Sequence, residues 1–220
     1  MKNKLKLGVL VSGGGSNLQA IIDNIEAGRL DAQISIVISN NADAFSLQRC
    51  RNHNVPAIVV DHRDYTSRND FDRHLIDVLR SYDVELVVMA GFMRILTKSF
   101  LAAFPMRIMN IHPALLPAFP GLHVQKQALD YGVRFSGCTV HFADGGVDTG
   151  PIIIQAVVPV FDEDNEERLA ARILQEEHKI YSRAIQWYAE NRLEVQGRKV
   201  LLKGNRGGDI RAQHNPPLSE

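Results

Sequence analysis

The 220-residue sequence has no net charge, few cysteines and no long apolar run. Lysine plus arginine and aspartate plus glutamate both total 25, which gives no support to a nucleic-acid-binding surface. No run reaches the roughly 18 apolar residues of a membrane span, and nothing at the N-terminus is typical of a signal peptide. Cys50 and Cys138 form no CxxC motif, which argues against structural zinc. We therefore expect a cytoplasmic protein with reduced thiols and without a metal, nucleic-acid or membrane partner.

Short apolar segments alternate with segments of helical periodicity, and 45% of the residues are hydrophobic, as in an ordinary globular protein. The predicted strands are residues 5–11, 34–39, 57–60, 85–90, 107–111, 136–142 and 152–160. The predicted helices are a first helix ending at Gly28 and residues 42–52, 71–82, 95–104, 123–131 and 166–191. This order predicts an α/β fold of the Rossmann-like kind, with a doubly wound, mostly parallel twisted sheet and helices on both faces.

A glycine-rich loop, residues 12–17, separates the first strand from the first helix. Free N–H groups and the dipole at a helix start favour an anion, so Gly15, Ser16 and Asn17 are candidate phosphate ligands. The alternative is a tight turn whose glycines only let the helix fold back. A dinucleotide fingerprint fails because Leu18 stands where its third glycine would be, and no P-loop lysine follows. The loop therefore predicts a site for one phosphate on a small molecule.

Asn110 and His112 end the fifth predicted strand, just before a proline-rich loop. Their i and i+2 spacing points both side chains to one side. An amide donor beside an imidazole can stabilise a developing oxyanion and move a proton. The alternative is that Asn110 and His112 are only an Asn and a His in a proline-rich turn, without a catalytic role. Asp148 could favour the charged imidazole, or could be only a turn aspartate before Gly150.

Ligands of doubly wound sheets bind outside the carboxyl ends of the strands, so residues 13–17, 91–96 and 110–117 should share one cleft. His123 follows the proline-rich loop and could touch this cleft. His141 lies inside a predicted strand, and a structural role explains it better.

Five segments together carry a resemblance to a known family: SGGGSNLQA at 12–20, AGFMRIL at 90–96, NIHP at 110–113, PGLH at 120–123 and VDTGP at 147–151. Over nearly all of residues 5–190 the chain resembles the phosphoribosylglycinamide formyltransferases, the folate-dependent enzymes of purine synthesis. The resemblance implies that the amine of glycinamide ribonucleotide attacks the formyl carbon of 10-formyltetrahydrofolate. Both are small-molecule substrates, and no metal is implied. The matching catalytic residues are Asn110, His112 and Asp148.

The resemblance also implies binding residues. For the ribonucleotide they are Gly15, Ser16 and Asn17, with a second contact from Leu174, Gln175, Glu176 and Glu177. For the folate they are Arg68, Met93, Arg94, Ile95, Leu96, Asn110, Asp144, Gly145, Gly146, Val147 and Asp148. Glu177 is expected nearest the amine. Ala114 stands where many members have Ser, and Ala118 where a basic residue is common, so folate affinity can differ here.

Residues 1–200 are expected to form a single formyltransferase domain, followed by a C-terminal tail, 201–220. Within the domain, residues 1–105 are the predicted half that binds the phosphate and the nucleotide, and residues 106–200 are the predicted catalytic and folate-binding half. A monomer and a homodimer both remain open. Two other functions also remain open: formyl transfer to another phosphate-bearing amine, and a silent nucleotide-binding regulatory module.

Overall fold

The structure, a computed structural model, describes residues 4–204 and 213–215. Within them, one nine-stranded sheet has the order β3-β2-β1-β4-β5-β6-β7-β9-β8. Its strands are β1 (Leu5–Val11), β2 (Ala32–Ser39), β3 (Ala57–Val59), β4 (Leu86–Met89), β5 (Ile108–His112), β6 (Phe135–Phe142), β7 (Ile152–Pro159), β8 (Leu193–Gln196) and β9 (Lys199–Leu202). The helices are α1 (Ser16–Glu26), α2 (Phe45–Asn52), α3 (Arg68–Ser81), α4 (Lys98–Ala103), α5 (Val124–Tyr131) and α6 (Glu166–Ala189).

The direction of the strands changes halfway across the sheet. From β3 to β5 every neighbouring pair is parallel, whereas β6 runs antiparallel to β5, and β7 runs antiparallel to β6. The predicted mostly parallel sheet is confirmed, and the antiparallel pair β5–β6 places side chains of the second half of the chain directly beside the exit of β5.

Helices cover both faces of the sheet, because its central strands are apolar on both sides. Leu18 of α1 and Ile173 of α6 belong to the buried core on one face, together with Val9 of β1. Phe71 of α3 and Phe100 of α4 belong to the core on the other face. The doubly wound arrangement predicted from the alternation of elements is therefore confirmed.

Side-chain caps move two helix starts away from the predicted positions. Ser67 accepts a hydrogen bond from the Asp70 amide, so α3 begins at Arg68 rather than at residue 71. Thr97 accepts one from the Phe100 amide, so α4 begins three residues later than predicted. The later start leaves residues 93–96 as loop, and they are then free to line a cleft.

The predicted start of the C-terminal tail, at residue 201, falls inside β9. In the turn between β8 and β9, Arg198 donates to the Thr149 carbonyl at 2.8 Å, so this hairpin contacts the loop that carries Asp148. Asn215 donates to the carbonyls of Arg134 and Val160. Most of the predicted tail, residues 205–212 and 216–220, lies outside the described residues.

Candidate active site

Two adjoining cavities open where the loops after β1, β4 and β5 meet. The smaller, about 270 Å³, is lined by residues 12–17, Ala90, Gly91 and Met93. The larger, about 560 Å³, is lined mainly by residues 91–96, 110–113, 121–125 and 143–148. Because Gly91 and Met93 line both cavities, the three loops share one cleft, as the sequence predicts. The larger cavity is built from both predicted halves of the domain.

The glycine loop closes directly onto the first turn of α1. Gly15 has a φ of 68°, and its carbonyl accepts the first helical hydrogen bond, from the Gln19 amide at 2.9 Å. A Cβ at Gly15 would lie 2.6 Å from the Cβ of Ser46 on α2. Both the left-handed backbone and the contact with α2 therefore require glycine at this position.

The Asn17 side chain turns away from the loop and toward α6. Its Nδ2 donates to Oε2 of Glu177 at 2.8 Å, and both residues are buried. Burial raises the pKa of Glu177, and the hydrogen bond from Asn17 offsets only part of this effect. Of the predicted contacts at 174–177, Glu177 thus reaches the loop through Asn17, whereas Glu176 pairs with Lys179 at 2.7 Å. The described residues that line the two cavities include none of these four.

The end of β5 and the loop after its antiparallel neighbour β6 bring the predicted catalytic residues together. Asn110 lies opposite His141, and His112 lies opposite Thr139. Nδ1 of His112 is 3.3 Å from Oδ2 of Asp148. Nδ2 of Asn110 donates to Oδ1 of the same carboxylate at 3.3 Å. Asn110, His112 and Asp148 therefore form one contiguous cluster at the edge of the larger cavity.

The Asp148 carboxylate is held in its charged form. It accepts a hydrogen bond from the Gly121 amide at 3.0 Å, and Nε2 of His141 lies 3.7 Å away. Burial raises the pKa of Asp148, but the interaction with His141, the Gly121 hydrogen bond and the nearby charge of His112 outweigh burial and lower it. The cluster therefore keeps a negative charge beside the imidazole at neutral pH.

Hydrogen bonds within the cluster occupy the polar groups that would contact a substrate. Nε2 of His112 donates to the Phe119 carbonyl at 2.8 Å, so the fully protonated ring would donate on both sides, to Phe119 and to Asp148. Nδ2 of Asn110 faces Asp148 and, at 3.2 Å, Nε2 of His141. A substrate oxygen that binds either donor must therefore replace one of these acceptors.

A second polar network fixes the proline-rich loop after His112. The buried Thr139 hydroxyl donates to the Ala114 carbonyl at 2.7 Å and accepts from the Leu116 amide at 3.1 Å. Gln155, the polar residue within the apolar strand β7, donates to the Leu116 carbonyl at 2.9 Å. These bonds position the segment that leads to Phe119, and hence the acceptor for His112.

Apolar side chains form an exposed rim around the larger cavity. Met93 is 68% exposed, Ile95 61%, Leu122 68% and Val147 47%. Arg94 turns its guanidinium over the Phe71 ring, 5.4 Å from the centroid. Large exposed apolar side chains that converge on one cavity are typical of a binding site for a partly apolar ligand.

The loop after β4 is tied to the glycine loop by a single hydroxyl. Ser12 Oγ accepts from the Met93 amide at 2.9 Å and donates to Oδ1 of Asn40 at 2.6 Å. Ser12 therefore joins the exits of β1, β2 and β4, and it connects the rims of the two cavities.

The loop at 144–150 is held by its own hydrogen bonds. Oδ1 of Asp144 accepts from the Gly146 amide at 3.1 Å and from the Thr149 hydroxyl at 2.5 Å. A Cβ at Gly150 would lie 1.7 Å from the Phe142 carbonyl oxygen, so only glycine lets the chain return to β7 here. Asp148, two residues before Gly150, adopts the left-handed region, with a φ of 53°.

Three residues that the sequence connects with folate binding lie outside the cavities. Arg68 is exposed in the first turn of α3, and the described residues lining either cavity do not include it. Ala114 is buried and Ala118 is exposed, and neither lines a cavity. His123, which the sequence left open, lines the larger cavity.

The contacts of His141 and Ser12 were not predicted. His141, expected to be structural, is buried and bonded to the Phe142 carbonyl, and it also lines the larger cavity and contacts Asn110. Its position near the end of a predicted strand was the available signal, but only the register with β5 places it opposite Asn110. The Ser12 hydroxyl stands in the recognised motif, but its partners lie in two other loops.

The described residues contain neither a cluster of metal-ligating side chains nor a helix that could span a membrane. Among them, no group of three or more histidine, cysteine, aspartate or glutamate residues could hold a metal ion. In the same part of the chain, no helix has the length and apolar character needed to span a bilayer.

Comparison with known proteins identifies the family. The model of the formyl transferase family matches residues 5–185. The chain therefore belongs to the formyl transferase family, and the resemblance inferred from its motifs is confirmed. It is 43% identical over 198 residues to phosphoribosylglycinamide formyltransferase of Escherichia coli, a match that covers 90% of this chain and 93% of that relative.

Two further relatives extend the comparison. The chain is 46% identical over 186 residues to the trifunctional purine biosynthetic protein adenosine-3 of Drosophila melanogaster. That match covers 84% of this chain but only 14% of the longer relative. The crystal structure of glycinamide ribonucleotide transformylase 1 from Symbiobacterium toebii superposes with a TM-score of 0.90 at 51% identity, covering 92% of this chain and 95% of that one.

Proposed function

We propose that this chain transfers the formyl group of 10-formyltetrahydrofolate to the amine of glycinamide ribonucleotide, a step of purine synthesis. The observation that carries the proposal is the cluster of Asn110, His112 and Asp148 beside two adjoining cavities. Two substrates of different chemistry need two neighbouring sites, and the reacting groups must meet between them. The names of the bacterial relatives support the same substrates.

The smaller cavity is the proposed site of the acceptor phosphate. Gly15, Ser16 and Asn17 would bind it through the free N–H groups at the start of α1. Glu177 would face the amine end, with Leu174, Gln175 and Glu176 nearby on α6. Because Glu177 is held by Asn17, the phosphate loop and the amine contact form one unit.

The larger cavity is the proposed folate site. Its volume of about 560 Å³ lies in the range usual for ligand sites, roughly 300–1,000 Å³. The apolar side chains of Met93, Ile95 and Val147 fit the faces of a pterin ring, while backbone groups of Arg94 and Leu96 would meet its polar edge. Asn110 and the residues Asp144, Gly145, Gly146 and Asp148 complete the lining. Arg68 would contribute from the entrance, since it is exposed.

The cluster suits the charges that develop during formyl transfer. As the amine nitrogen bonds to the formyl carbon, the formyl oxygen becomes negative and the nitrogen positive. Asn110 and a charged His112 would donate to that oxygen. A proton then passes from the amine nitrogen to the folate nitrogen, the oxygen re-forms the carbonyl, and the bond between the formyl carbon and the folate nitrogen breaks, which releases tetrahydrofolate and the formylated amine. Asp148, kept ionised, would stabilise the charged ring of His112.

The test measures formyl transfer from 10-formyltetrahydrofolate to three acceptors: glycinamide ribonucleotide, a phosphorylated sugar amine, and water alone. We expect turnover with the ribonucleotide and little with the other two. Faster transfer to the sugar amine would establish a different acceptor. Binding of both ligands without turnover would make the chain a regulatory module and refute the proposal.

The location and assembly of the protein are also proposals. We propose a cytoplasmic enzyme that works on small molecules as a monomer or a homodimer. Fractionation of cells tests the location, and sedimentation equilibrium separates the two assemblies. Recovery with the membrane fraction, or a larger oligomer, would contradict this view.

A further inference from the structure

The glycine loop leans on helix α2 through one side chain that lines neither cavity. Nε of Arg49 donates to the Gly14 carbonyl at 2.8 Å. Nη1 of Arg49 donates to Oε1 of Gln19 at 3.1 Å, on the first turns of α1. The guanidinium also lies over the Phe45 ring, 5.0 Å from its centroid. Arg49 is thus fixed from three directions, directly behind the loop.

The carbonyls held by α2 determine where the loop amides point. The Ser46 amide donates to the Gly13 carbonyl at 3.0 Å, and Arg49 donates to the Gly14 carbonyl. In a planar trans peptide the C=O and the following N–H point in opposite directions. The N–H groups of Gly14 and Gly15 must therefore point away from α2. The described residues that line the smaller cavity include the loop itself and none from α2, which is consistent with amides that point toward that cavity.

We propose that Arg49 is a positioning residue for phosphate recognition: it turns the Gly14 carbonyl away from the acceptor so that the following amide faces the phosphate, and it places a positive charge behind the loop. This inference deepens the proposed function and rests on it. A guanidinium suits the task because its fork binds a carbonyl and an amide oxygen at once, and it stays charged at any working pH.

The rival account is that Arg49 only joins α2 to α1 and stabilises the fold. Both accounts predict a lower melting temperature for Arg49→Gln. Only the positioning account predicts a defect confined to phosphate-bearing ligands. The matched control is Arg51→Gln on the same helix, which removes the same positive charge. The Arg51 guanidinium donates to Gln48 and not to the glycine loop.

The experiment compares wild type, Arg49→Gln, Arg49→Lys and Arg51→Gln. For Arg49→Gln we expect KM for glycinamide ribonucleotide to rise roughly tenfold or more, the value of one lost charge-assisted hydrogen bond. The kcat value and KM for 10-formyltetrahydrofolate should change less than about threefold. Arg49→Lys should recover part of the loss, because it keeps the charge but not the fork. Arg51→Gln should match wild type.

A second measurement separates this inference from the proposed function. Ribose 5-phosphate and ribose are titrated into each variant as probes with and without the phosphate. If Arg49→Gln binds ribose 5-phosphate more weakly but binds ribose as wild type does, the inference is supported, even if wild type fails to formylate glycinamide ribonucleotide. Equal losses for both probes, an equal effect in Arg51→Gln, or unchanged phosphate binding would overturn it.

Discussion

Asp148→Asn is the substitution that tests the proposed chemistry most directly. Asn tolerates the left-handed backbone at this position, where φ is 53°, so the loop should keep its shape. The carboxylate accepts on both oxygens: Oδ2 faces the Gly121 amide and His112, and Oδ1 faces Asn110. The asparagine side chain has one accepting oxygen and one donating nitrogen. In Asp148→Asn that nitrogen must therefore face a donor, either on the side of Gly121 and His112 or on the side of Asn110.

The size of the effect follows from the lost charge. Unit charges 3.3 Å apart, the separation of Nδ1 of His112 and Oδ2 of Asp148, interact by about 5 kcal/mol at an effective dielectric constant of ~20. The asparagine dipole and water recover part of this. We therefore expect kcat to fall by roughly 10²–10⁴, which is about 3–5 kcal/mol of transition-state stabilisation.

The assay follows single-turnover formyl transfer and measures the affinity of both ligands by calorimetry. Both dissociation constants should change little, because neither the proposed phosphate contact nor the apolar rim is altered. His112→Ala in the Asp148→Asn background should cost little more, since the two residues act as a unit. Near-normal kcat in Asp148→Asn, or losses that simply add in the double variant, would refute this account of the cluster.

Three further predictions concern the surroundings of the cluster. Gly15→Val should weaken ribonucleotide binding strongly and folate binding little, by calorimetry, and should lower the melting temperature because its Cβ meets Ser46; equal losses for both ligands would contradict separate sites. Ser12→Ala removes the hydrogen bond from the Met93 amide to the Ser12 hydroxyl. We therefore expect that binding of one ligand changes the affinity for the other less than in wild type; an unchanged effect would exclude a role of Ser12 in coupling the two sites. The lowered pKa of Asp148 means that its ionised form stabilises the folded protein. This contribution is fully present above about pH 4, the ordinary pKa range of an aspartate, and is lost as pH falls through the lower pKa of the folded state. Urea unfolding should therefore show that the difference in free energy of unfolding between wild type and Asp148→Asn narrows below about pH 4. A constant difference would argue against the lowered pKa of Asp148.

The fold and the pairing of Asn110 with His112 were predictable because they depend on local signals. Apolar strands alternate with amphipathic helices, and this order defines the sheet and the exits at which loops gather. Asn110 and His112 could be paired from their i and i+2 spacing alone. The contacts of His141, by contrast, depend on the β5–β6 register. That register is set by packing and cannot be derived from either strand separately.

The contacts made by long side chains on helices were the least predictable part of the site. Glu177 reaches Asn17 across 160 residues, and Arg49 reaches Gly14 across 35. Helical periodicity tells which face of a helix is buried, but not which loop the end of a side chain will meet. The sequence therefore identifies the groups beside the proposed substrates, whereas the groups that hold them in place emerge only from the packed structure.

The three glycines of the loop illustrate the same limit within a single motif. A sequence treats Gly13, Gly14 and Gly15 alike, yet only Gly15 has a positive φ and a neighbour that excludes a side chain. A Cβ at Gly13 or Gly14 would meet nothing within 4 Å. Of these three positions, the fold therefore requires glycine only at Gly15. If glycine is needed at the other two positions, the requirement must come from a ligand that approaches the backbone closely, as the proposed phosphate would.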